Sequence, residues 1–405
     1  MIMQVRERPG RASRYRGSFL FGAGSTSGGF QPPEWSFDLP LMDAGAGTVQ
    51  LTPTYAAGSP VPTFTRATVK WTKLSTGLWQ EVASGVAASC YLGVDTAVGA
   101  YGGYFAEGAG TQLVTPTASI RDMTDAAWVK GATMTAALTG TGIDGVANSC
   151  SRLTGGAVSA TNTAFQTLTA AASSRTYSVW LKRVTGTGTI NITQDGGVGY
   201  TDVTSQINSS TFTRVSLTAS QLNAVFGIQV VTSTDVILAD FNQFEAGTFA
   251  TSPMAAAGAA RNADVLTYPV AGNFSNTGAG TVYFEARDNG QSTGSFICDG
   301  AGGNLQIYHS TDKLAAFDGT NNNSFTGCTW ANNTSIKAAV SYSGSAMSGF
   351  AGGVASSINP ASWDGNWGFT TLGICGGITP PFGTIRNVRI YSQALSSAQL
   401  QAMTT

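Results

Sequence analysis

Short runs of alternating apolar and polar residues, separated by glycine-containing turns, recur through most of this sequence. In PTFTRATVKWTKLSTGLWQEVASG, which begins at Pro62, two such runs flank the turn sequence STG. A side-chain period of two is that of a β-strand, and turn residues between two strands predict a hairpin. The pattern therefore predicts an all-β protein built from short antiparallel strands.

The composition agrees with this prediction. Charged residues make up only 11% of the chain and glycine accounts for 51 of its 405 residues, so Thr, Ser, Asn and Gln supply most of the polarity. β-Branched residues favour strands, and Gly, Asn and Ser favour the turns between them. Because 42% of the residues are hydrophobic, the chain can build cores, and its length predicts two or three domains.

The net charge of −1 predicts no general attraction to nucleic acid or to a membrane surface. No apolar run approaches the roughly 18 residues of a membrane-spanning helix. The apolar run SFLF after Arg16 is too short for the core of a secretory signal. We therefore expect no nucleic-acid partner, no membrane insertion and no signal peptide.

Basic residues are concentrated near the N-terminus. Five of the chain's 21 basic residues lie within the first 16 positions, namely Arg6, Arg8, Arg11, Arg14 and Arg16. Pro9 and Gly10 argue against a helix there. Two interpretations stay open, a mobile basic arm and a docking arm that becomes ordered against an acidic partner. Residues 1–60 contain no long periodic segment, which predicts an irregular N-terminal arm.

Residues 61–115 are predicted to form a small β module. The sequences PTFTRAT and GYFAEGAGTQLV within it resemble a module of bacteriophage virion proteins. Gln112 stands where that module usually has Asn, so a local contact between side chain and backbone is expected to differ. We expect Arg66 and Glu107 to form an exposed ion pair, which would contribute little to stability.

Residues 116–262 are predicted to form a two-sheet jelly roll, because short strands follow one another at regular intervals. In the strand TYSVWLKRV, Tyr177, Val179 and Leu181 are expected to share one face. The strand order and the sequence FEAGTFATSPM…GAARNADVLTYP resemble carbohydrate-binding-module jelly rolls carried by phage tail proteins. A linker is predicted at residues 253–263.

Residues 263–405 end in LGICGG…FGTIRNVRIYSQALSSAQLQAM, which resembles the closing strand and cap helix of concanavalin-like (laminin-G-like) sandwiches. The resemblance implies that the strand fills the space between two sheets through Ile385, Val388 and Ile390. Either Ser396 or Ser397 is expected to cap a short helix, whose apolar face would comprise Ala398, Leu400 and Met403.

The chain shows no pattern of catalytic residues. His309 is its one histidine, no G-x-S-x-G sequence precedes it, and we expect it at the surface or at a hairpin edge. Glycoside hydrolysis needs two carboxylates placed close together. Glu285, with Asp288 three residues further on, is the nearest approach to such a pair on a strand. The sequence therefore predicts no catalytic residues, with glycoside hydrolysis kept as an alternative.

Aromatic rings with neighbouring amides suit sugar binding, because a sugar's C–H face stacks on a ring while its hydroxyls bond to amides. The loop-rich stretches FDGTNNNSFTGCTWANN and NPASWDGNWGF contain the candidates Trp330, Asn332, Trp363, Asp364 and Trp367. Ordinary packing is the alternative for these tryptophans. No cofactor is expected, although Asp299, Asp318 and Asn321 are candidates for a structural calcium site. Cys298 and Cys328 are the candidates for a disulfide.

The resemblances favour a structural protein of a bacteriophage virion. They imply a tail fibre that docks on other virion proteins through its arm and contacts host surface glycans with its last sandwich. Fibres of this kind are commonly trimers, so a homotrimer is expected, although no heptad run enforces one. Two alternatives stay open: a capsid decoration or head-fibre protein with the same domains, and a glycan-cleaving tail enzyme.

Overall fold

Antiparallel strands make up almost all of the regular secondary structure in the described part of the chain, which confirms the all-β prediction. The computed structural model describes residues 37–56, 61–91, 101–115, 117–157, 159–254, 260–271, 278–291, 293–300, 306–317, 322–344, 346–358, 371–376 and 381–405. All of them belong to one unit, Glu34–Thr405. Within these ranges, no helix has the length and hydrophobicity needed to cross a membrane.

The middle sandwich consists of two five-stranded sheets, as predicted. In sheet order, the first contains Val129–Lys130, Thr163–Thr167, Val225–Val230, Ile190–Thr193 and Thr201–Asp202. The second contains Thr135–Gly140, Cys150–Thr154, Val236–Ala246, Ser173–Thr185 and Thr213–Gln221. Three short 3-10 helices, Thr117–Ile120, Ser159–Thr161 and Thr204–Gln206, lie in its connections.

Both faces of strand Ser173–Thr185 are buried in its central part. Tyr177, Val179 and Leu181 point into the core between the two sheets, as the alternation predicts. On the other face, Trp180 packs edge-on against Trp79, with ring centroids 5.3 Å apart. Trp79 belongs to the predicted hairpin, whose strands are Lys70–Lys73 and Trp79–Val82. The hairpin therefore shields the outer face of this sandwich from water.

The terminal sandwich contains a nine-stranded and a seven-stranded sheet. In the larger sheet, seven strands pair in the order Val354–Ile358, Ala346–Ala351, Ser335–Ser343, Ala279–Asp288, Gly383–Tyr391, Phe37–Leu39 and Tyr55–Ala56. The other two strands are Tyr101–Ala106, which also pairs with Gly383–Tyr391, and Ser89–Tyr91, which pairs with Tyr101–Ala106. The smaller sheet contains Asn322–Thr329, Lys313–Phe317, Gln306–Ser310, Thr293–Asp299, Thr371–Ile374, Val265–Pro269 and Thr63–Thr65. The remaining strands form two ribbons, Asp43–Gly45 with Thr48–Val49 and Gly110–Thr111 with Ala260–Arg261.

Segments from the first quarter of the chain complete both sheets of the terminal sandwich. Strand Phe37–Leu39 pairs with residues 388–390, and Thr63–Thr65 pairs with residues 265–267. The expectation of an irregular arm is therefore wrong for residues 37–56, because these residues supply strands and the buried side chain of Phe37. The predicted domain boundaries stay predictions.

The closing strand Gly383–Tyr391 belongs to the nine-stranded sheet, and its side chains Ile385, Val388 and Ile390 are fully buried in the core between the two sheets, as the sequence predicts. Ile385 and Val388 are three positions apart, so strict alternation would place them on opposite faces. The pairing with the neighbouring strand shifts register in this region, and Asn387 adopts a φ of 51°. This irregularity brings both apolar side chains to the core side.

The terminal helix spans Ser397–Thr404, and Ser396 is its N-cap. Ser396 accepts a hydrogen bond from the backbone of Gln399, and the Gln399 side chain accepts one from the backbone of Ser396 at 2.8 Å. Leu400 is buried and Met403 packs against the same small apolar cluster. Ala398 is exposed, so the predicted apolar face is wrong at that position, which lies on the solvent side of the helix.

Candidate functional site

The predicted site residues divide between described and undescribed parts of the chain. The five N-terminal arginines and three of the glycan candidates, Trp363, Asp364 and Trp367, lie outside the described residues. Asn332 is described and exposed. Trp330 is only 1% exposed and packs against Phe296, with ring centroids 4.9 Å apart. Because its ring is enclosed by the core, Trp330 offers no surface on which a sugar could stack, and its assignment to a glycan site is corrected.

His309 is buried, so the expectation of a surface position is wrong. Its Nε2 lies 2.8 Å from the backbone oxygen of Trp330, and its Nδ1 lies 3.6 Å from Oδ2 of Asp288. Both side chains of the His309–Asp288 pair are fully buried. Burial opposes protonation of the ring, but the Asp288 carboxylate outweighs it and raises the pKa of His309. The geometry of this pair is that of a core ion pair.

A cleft between the middle and terminal sandwiches has the chemistry that sugar binding requires. Its volume is about 210 Å³, and we call it the aromatic cleft; it is lined by Trp79, Arg214, Ser216, Thr218, Thr248, Phe249, Ala250, Ser252, Asn289, Asn333 and Phe382. Phe249 and Phe382 stack on one another with ring centroids 5.7 Å apart. The cleft therefore combines an aromatic wall with amides, hydroxyls and a guanidinium group.

One strand supplies the polar side chains on one side of the aromatic cleft. Arg214, Ser216 and Thr218 alternate along the edge strand Thr213–Gln221, so they project from the same face. Arg214 donates to Ser178 Oγ at 2.9 Å, and the Thr218 hydroxyl donates to the backbone oxygen of Thr248 at 3.2 Å. These contacts hold the polar side chains in place before any ligand arrives.

Two asparagines from the terminal sandwich close the opposite side of the cleft. Asn289 follows strand Ala279–Asp288, and its backbone NH donates to the backbone oxygen of Phe382 at 2.8 Å. Asn333 is exposed and has a φ of 61°, in a turn that follows the buried Trp330. Trp330 and Asn332 were the glycan-binding residues predicted in this stretch, and Asn333, which lines the cleft, was not among them. The repeated asparagine before Thr334 was the available signal, since Asn tolerates a positive φ in turns.

Three cations and two carboxylates are enclosed where the small β module meets the segment after the middle sandwich. We call Arg66, Lys70, Glu107, Arg261 and Asp264 the buried ionic cluster. The Arg66–Asp264 contact is 2.9 Å, Lys70–Asp264 is 2.6 Å, and Lys70–Glu107 is 3.3 Å. The expected exposed pair between Arg66 and Glu107 is therefore wrong: both side chains are buried and each binds other partners.

Hydrogen bonds complete the buried ionic cluster. Arg66 also donates to backbone oxygens of Thr68, Ala83 and Val86 at 2.8–2.9 Å, and Glu107 accepts from the backbone NH of Ser252 at 2.7 Å. Burial disfavours the charged form of Glu107, but Arg261 and Lys70 outweigh it and lower the pKa of this carboxyl. A charged group so enclosed is stabilised only while its partners remain.

The described residues support neither the candidate calcium site nor the candidate disulfide. In the ranges that the structure covers, no group of three or more His, Cys, Asp or Glu side chains is arranged to hold a metal ion. Asp318 and Asn321 lie outside those ranges, and Asp299 is half-buried at the end of its strand. All five cysteines are described, buried and unbridged, so Cys298 and Cys328 do not form the candidate disulfide.

No protein-family model matches this sequence, and no curated protein matches it. Among solved structures, the chain is similar to domain 4 of the arabinanase AbnA from Geobacillus stearothermophilus, with a TM-score of 0.29 and 18% identity over 40% of this chain and 82% of that one. It is also similar to the receptor-binding domain of botulinum neurotoxin mosaic serotype C/D (TM-score 0.28, 13% identity, 34% of this chain) and to Trypanosoma rangeli sialidase (TM-score 0.26, 15% identity, 34% of this chain). The chain spans 39% and 25% of those two structures' lengths. TM-scores this low describe partial likeness and assign no function.

Proposed function

We propose that this chain is a structural protein of a bacteriophage virion that binds a host surface glycan in the aromatic cleft. The observation that carries the glycan part is the convergence in one cleft of the half-buried ring of Phe249 with Asn289 and Asn333, beside the largely buried rings of Trp79 and Phe382. Stacking rings together with planar amides match the apolar face and the hydroxyl groups of a sugar ring. The sequence resemblances to phage virion modules support the virion part.

The positions of the carboxylate side chains favour glycan binding without hydrolysis. Glycoside hydrolysis requires two carboxyl groups flanking the scissile bond. Among the described residues that line the aromatic cleft, none is Asp or Glu. Elsewhere in the described chain, Glu107, Asp264 and Asp288 form buried ion pairs that a substrate cannot reach.

Within the virion, we propose that the chain forms a tail fibre. The five N-terminal arginines would contact an acidic surface of the tail or its adaptor, and three copies would assemble as a homotrimer. A capsid decoration protein with the same glycan site is the alternative. An image of the intact virion that places residues 1–36 at the tail or at the capsid separates the two, because only the docking partner differs between them.

Substitution of Asn333 by Gly tests the glycan site, measured as binding of the purified chain to an array of immobilised bacterial surface polysaccharides. Asn333→Gly removes the amide but keeps a residue that accepts the positive φ. We expect an affinity loss of about 5- to 10-fold, since one well-placed hydrogen bond contributes about 1 kcal/mol.

The matched control is Asn223→Gly, because Asn223 is an exposed turn asparagine with a φ of 50° and lies outside the aromatic cleft. Its polysaccharide binding is expected to equal that of the unsubstituted chain. Equal binding by both variants, combined with loss of binding in a Trp363→Ala, Trp367→Ala double variant, would move the glycan site away from the cleft. Absence of any polysaccharide binding by the unsubstituted chain would overturn the proposed function.

A further inference from the structure

A second cavity opens on the outer face of the nine-stranded sheet, on the side away from the core of the terminal sandwich. Its volume is about 330 Å³, and we call it the cationic cavity. The side chains that define its chemistry are Glu285, Arg287, Lys337, Thr384 and Arg386. They lie on three adjacent strands, Ser335–Ser343, Ala279–Asp288 and Gly383–Tyr391.

Strand register sets the charge pattern of the cationic cavity. Lys337 and Arg386 both lie directly opposite Glu285, and Arg287 lies directly opposite Thr384. Three cationic side chains therefore surround one carboxylate. Because the chain as a whole has a net charge of −1, this excess of positive charge is local.

Glu285 is already engaged by other side chains, and Arg287 Nε donates to Asn289 Oδ1 at 3.1 Å. Glu285 accepts from Arg386 Nε at 2.9 Å, from Asn387 Nδ2 at 2.9 Å and from the Tyr283 hydroxyl at 3.1 Å. Lys337 is exposed and makes no ion pair with any described residue. An anion entering the cavity would therefore meet the ammonium group of Lys337, which no described side chain pairs with.

A buried hydroxyl in the cationic cavity also lacks a partner. Thr384 is 1% exposed, and its Oγ1 makes no hydrogen bond with any described residue. A buried polar atom without a partner costs about 1–3 kcal/mol, so such atoms in folded proteins call for an explanation. A ligand oxygen in the adjoining cavity would supply the missing hydrogen bond.

We propose that the cationic cavity binds a carboxylate-bearing sugar, of which a hexuronate is the simplest example. The carboxylate would be held by Lys337 and the guanidinium of Arg287, and Thr384 Oγ1 would donate to it. The remaining lone pair of Glu285 Oε2 would accept from a sugar hydroxyl. The described residues that line this cavity do not line the aromatic cleft, so a test of sugar-acid binding here is independent of the proposed function.

The test is calorimetric titration of the full chain with sodium glucuronate, with glucose and sodium sulfate as parallel ligands. Glucuronate is expected to bind with a dissociation constant on the order of millimolar, and glucose is expected not to bind in the same concentration range. Lys337→Gln is expected to weaken glucuronate binding at least about 5-fold, and Thr384→Val about 3-fold or more.

Lys182→Gln is the matched control, since it removes the same charge from the middle sandwich, outside the cavity. Its affinity for glucuronate is expected to be unchanged. Absence of glucuronate binding, or equal affinity in the unsubstituted chain and in both cavity variants, would overturn the proposal. Sulfate binding as tight as glucuronate binding would also overturn it, because the cavity would then accept any oxyanion without recognising a sugar acid.

Discussion

The buried ionic cluster and the cationic cavity use similar side chains in opposite ways. Each contains three cations and fewer carboxylates, but the cluster's side chains are at most 3% exposed whereas Arg386 in the cavity is 34% exposed. In the cluster, Asp264 contacts both Arg66 and Lys70. In the cavity, Lys337 and Thr384 have no such partners among the described residues.

This difference separates charges that hold a fold together from charges that are available to a ligand. Burial makes each ion dependent on its partners, so loss of the Asp264 carboxylate deprives two buried cations of a partner, although Lys70 keeps Glu107. Exposure lowers the stabilising contribution of a pair, because water and salt screen it. The comparison therefore predicts that substitutions in the cluster change stability, and that substitutions in the cavity change binding with little effect on stability.

The largest effect is expected from Asp264→Asn. The substitution removes the charge that Arg66 and Lys70 share while keeping the shape of the side chain, and breaking a buried pair in this way costs about 3–5 kcal/mol. Urea unfolding would measure the change in the free energy of unfolding. Asp38→Asn is the control, since Asp38 pairs with Arg389 at 3.1 Å on a partly exposed face, and about 1 kcal/mol or less is expected there. Equal losses in the two variants would contradict the comparison.

A smaller effect is expected from pH, through the His309–Asp288 pair. The pKa of His309 is raised above its ordinary value of 6.5, so the pair stabilises the fold below about pH 6.5 and loses that contribution as the pH rises through the folded-state pKa. Each unit of pKa difference corresponds to about 1.4 kcal/mol. Urea unfolding between pH 5.5 and 8 would show the decline.

Substitution of the single histidine of the chain isolates its part of this decline. His309→Gln is expected to show a smaller decline, and the remainder is assigned to the buried carboxyl groups of Asp240 and Glu245, whose pKa values are also raised. A decline of equal size in His309→Gln would show that His309 does not cause it. An increase in stability with pH in the unsubstituted chain would show that burial, and not Asp288, controls the ring.

The smallest effect on stability is expected from Thr384→Val. Because the Thr384 hydroxyl has no hydrogen-bond partner among the described residues, its replacement by a methyl group should leave the free energy of unfolding within about 0.5 kcal/mol or raise it slightly. The control is Thr281→Val, in the same sheet. The Thr281 hydroxyl donates to the backbone oxygen of Gln393 and accepts from the NH of Leu395, both at 3.0 Å, so a loss of about 1–3 kcal/mol is expected. A comparable loss in Thr384→Val would mean that its hydroxyl already has a partner.

Local sequence patterns were sufficient to predict much of the fold. Alternation and turn residues identified the hairpin at Lys70–Lys73 and Trp79–Val82, the core face that includes Tyr177, and the helix cap at Ser396, because all of these depend on neighbours within a few positions. Ala398 and the buried face of Trp180 were not predictable in the same way. Trp180 is covered by Trp79 from a distant hairpin, and the contacts of Leu400 and Met403 orient the terminal helix so that Ala398 is left in solvent.

The candidate site was less predictable, since its contacts join distant positions. Asp264 meets Arg66 and Lys70 across 198 and 194 residues, and the aromatic cleft joins Trp79 to Asn333. A single sequence carries no signal for such pairs, because residue type alone does not say which acid a buried arginine will meet. Trp330 shows the same limit, because the sequence around an aromatic residue in a loop-rich stretch does not indicate whether its ring faces solvent or the core.

The pairing of strand Phe37–Leu39 with residues 388–390 has a consequence for biosynthesis. The first of these strands leaves the ribosome long before its neighbour Gly383–Tyr391 is made, because more than 300 residues separate the two. Contacts so distant along the chain form slowly, and until they form the early strand has an unpaired edge that can associate with other chains. Premature termination of translation a few residues before position 383 would therefore leave the largest sheet without the strand that joins its two halves, and such products are expected to aggregate.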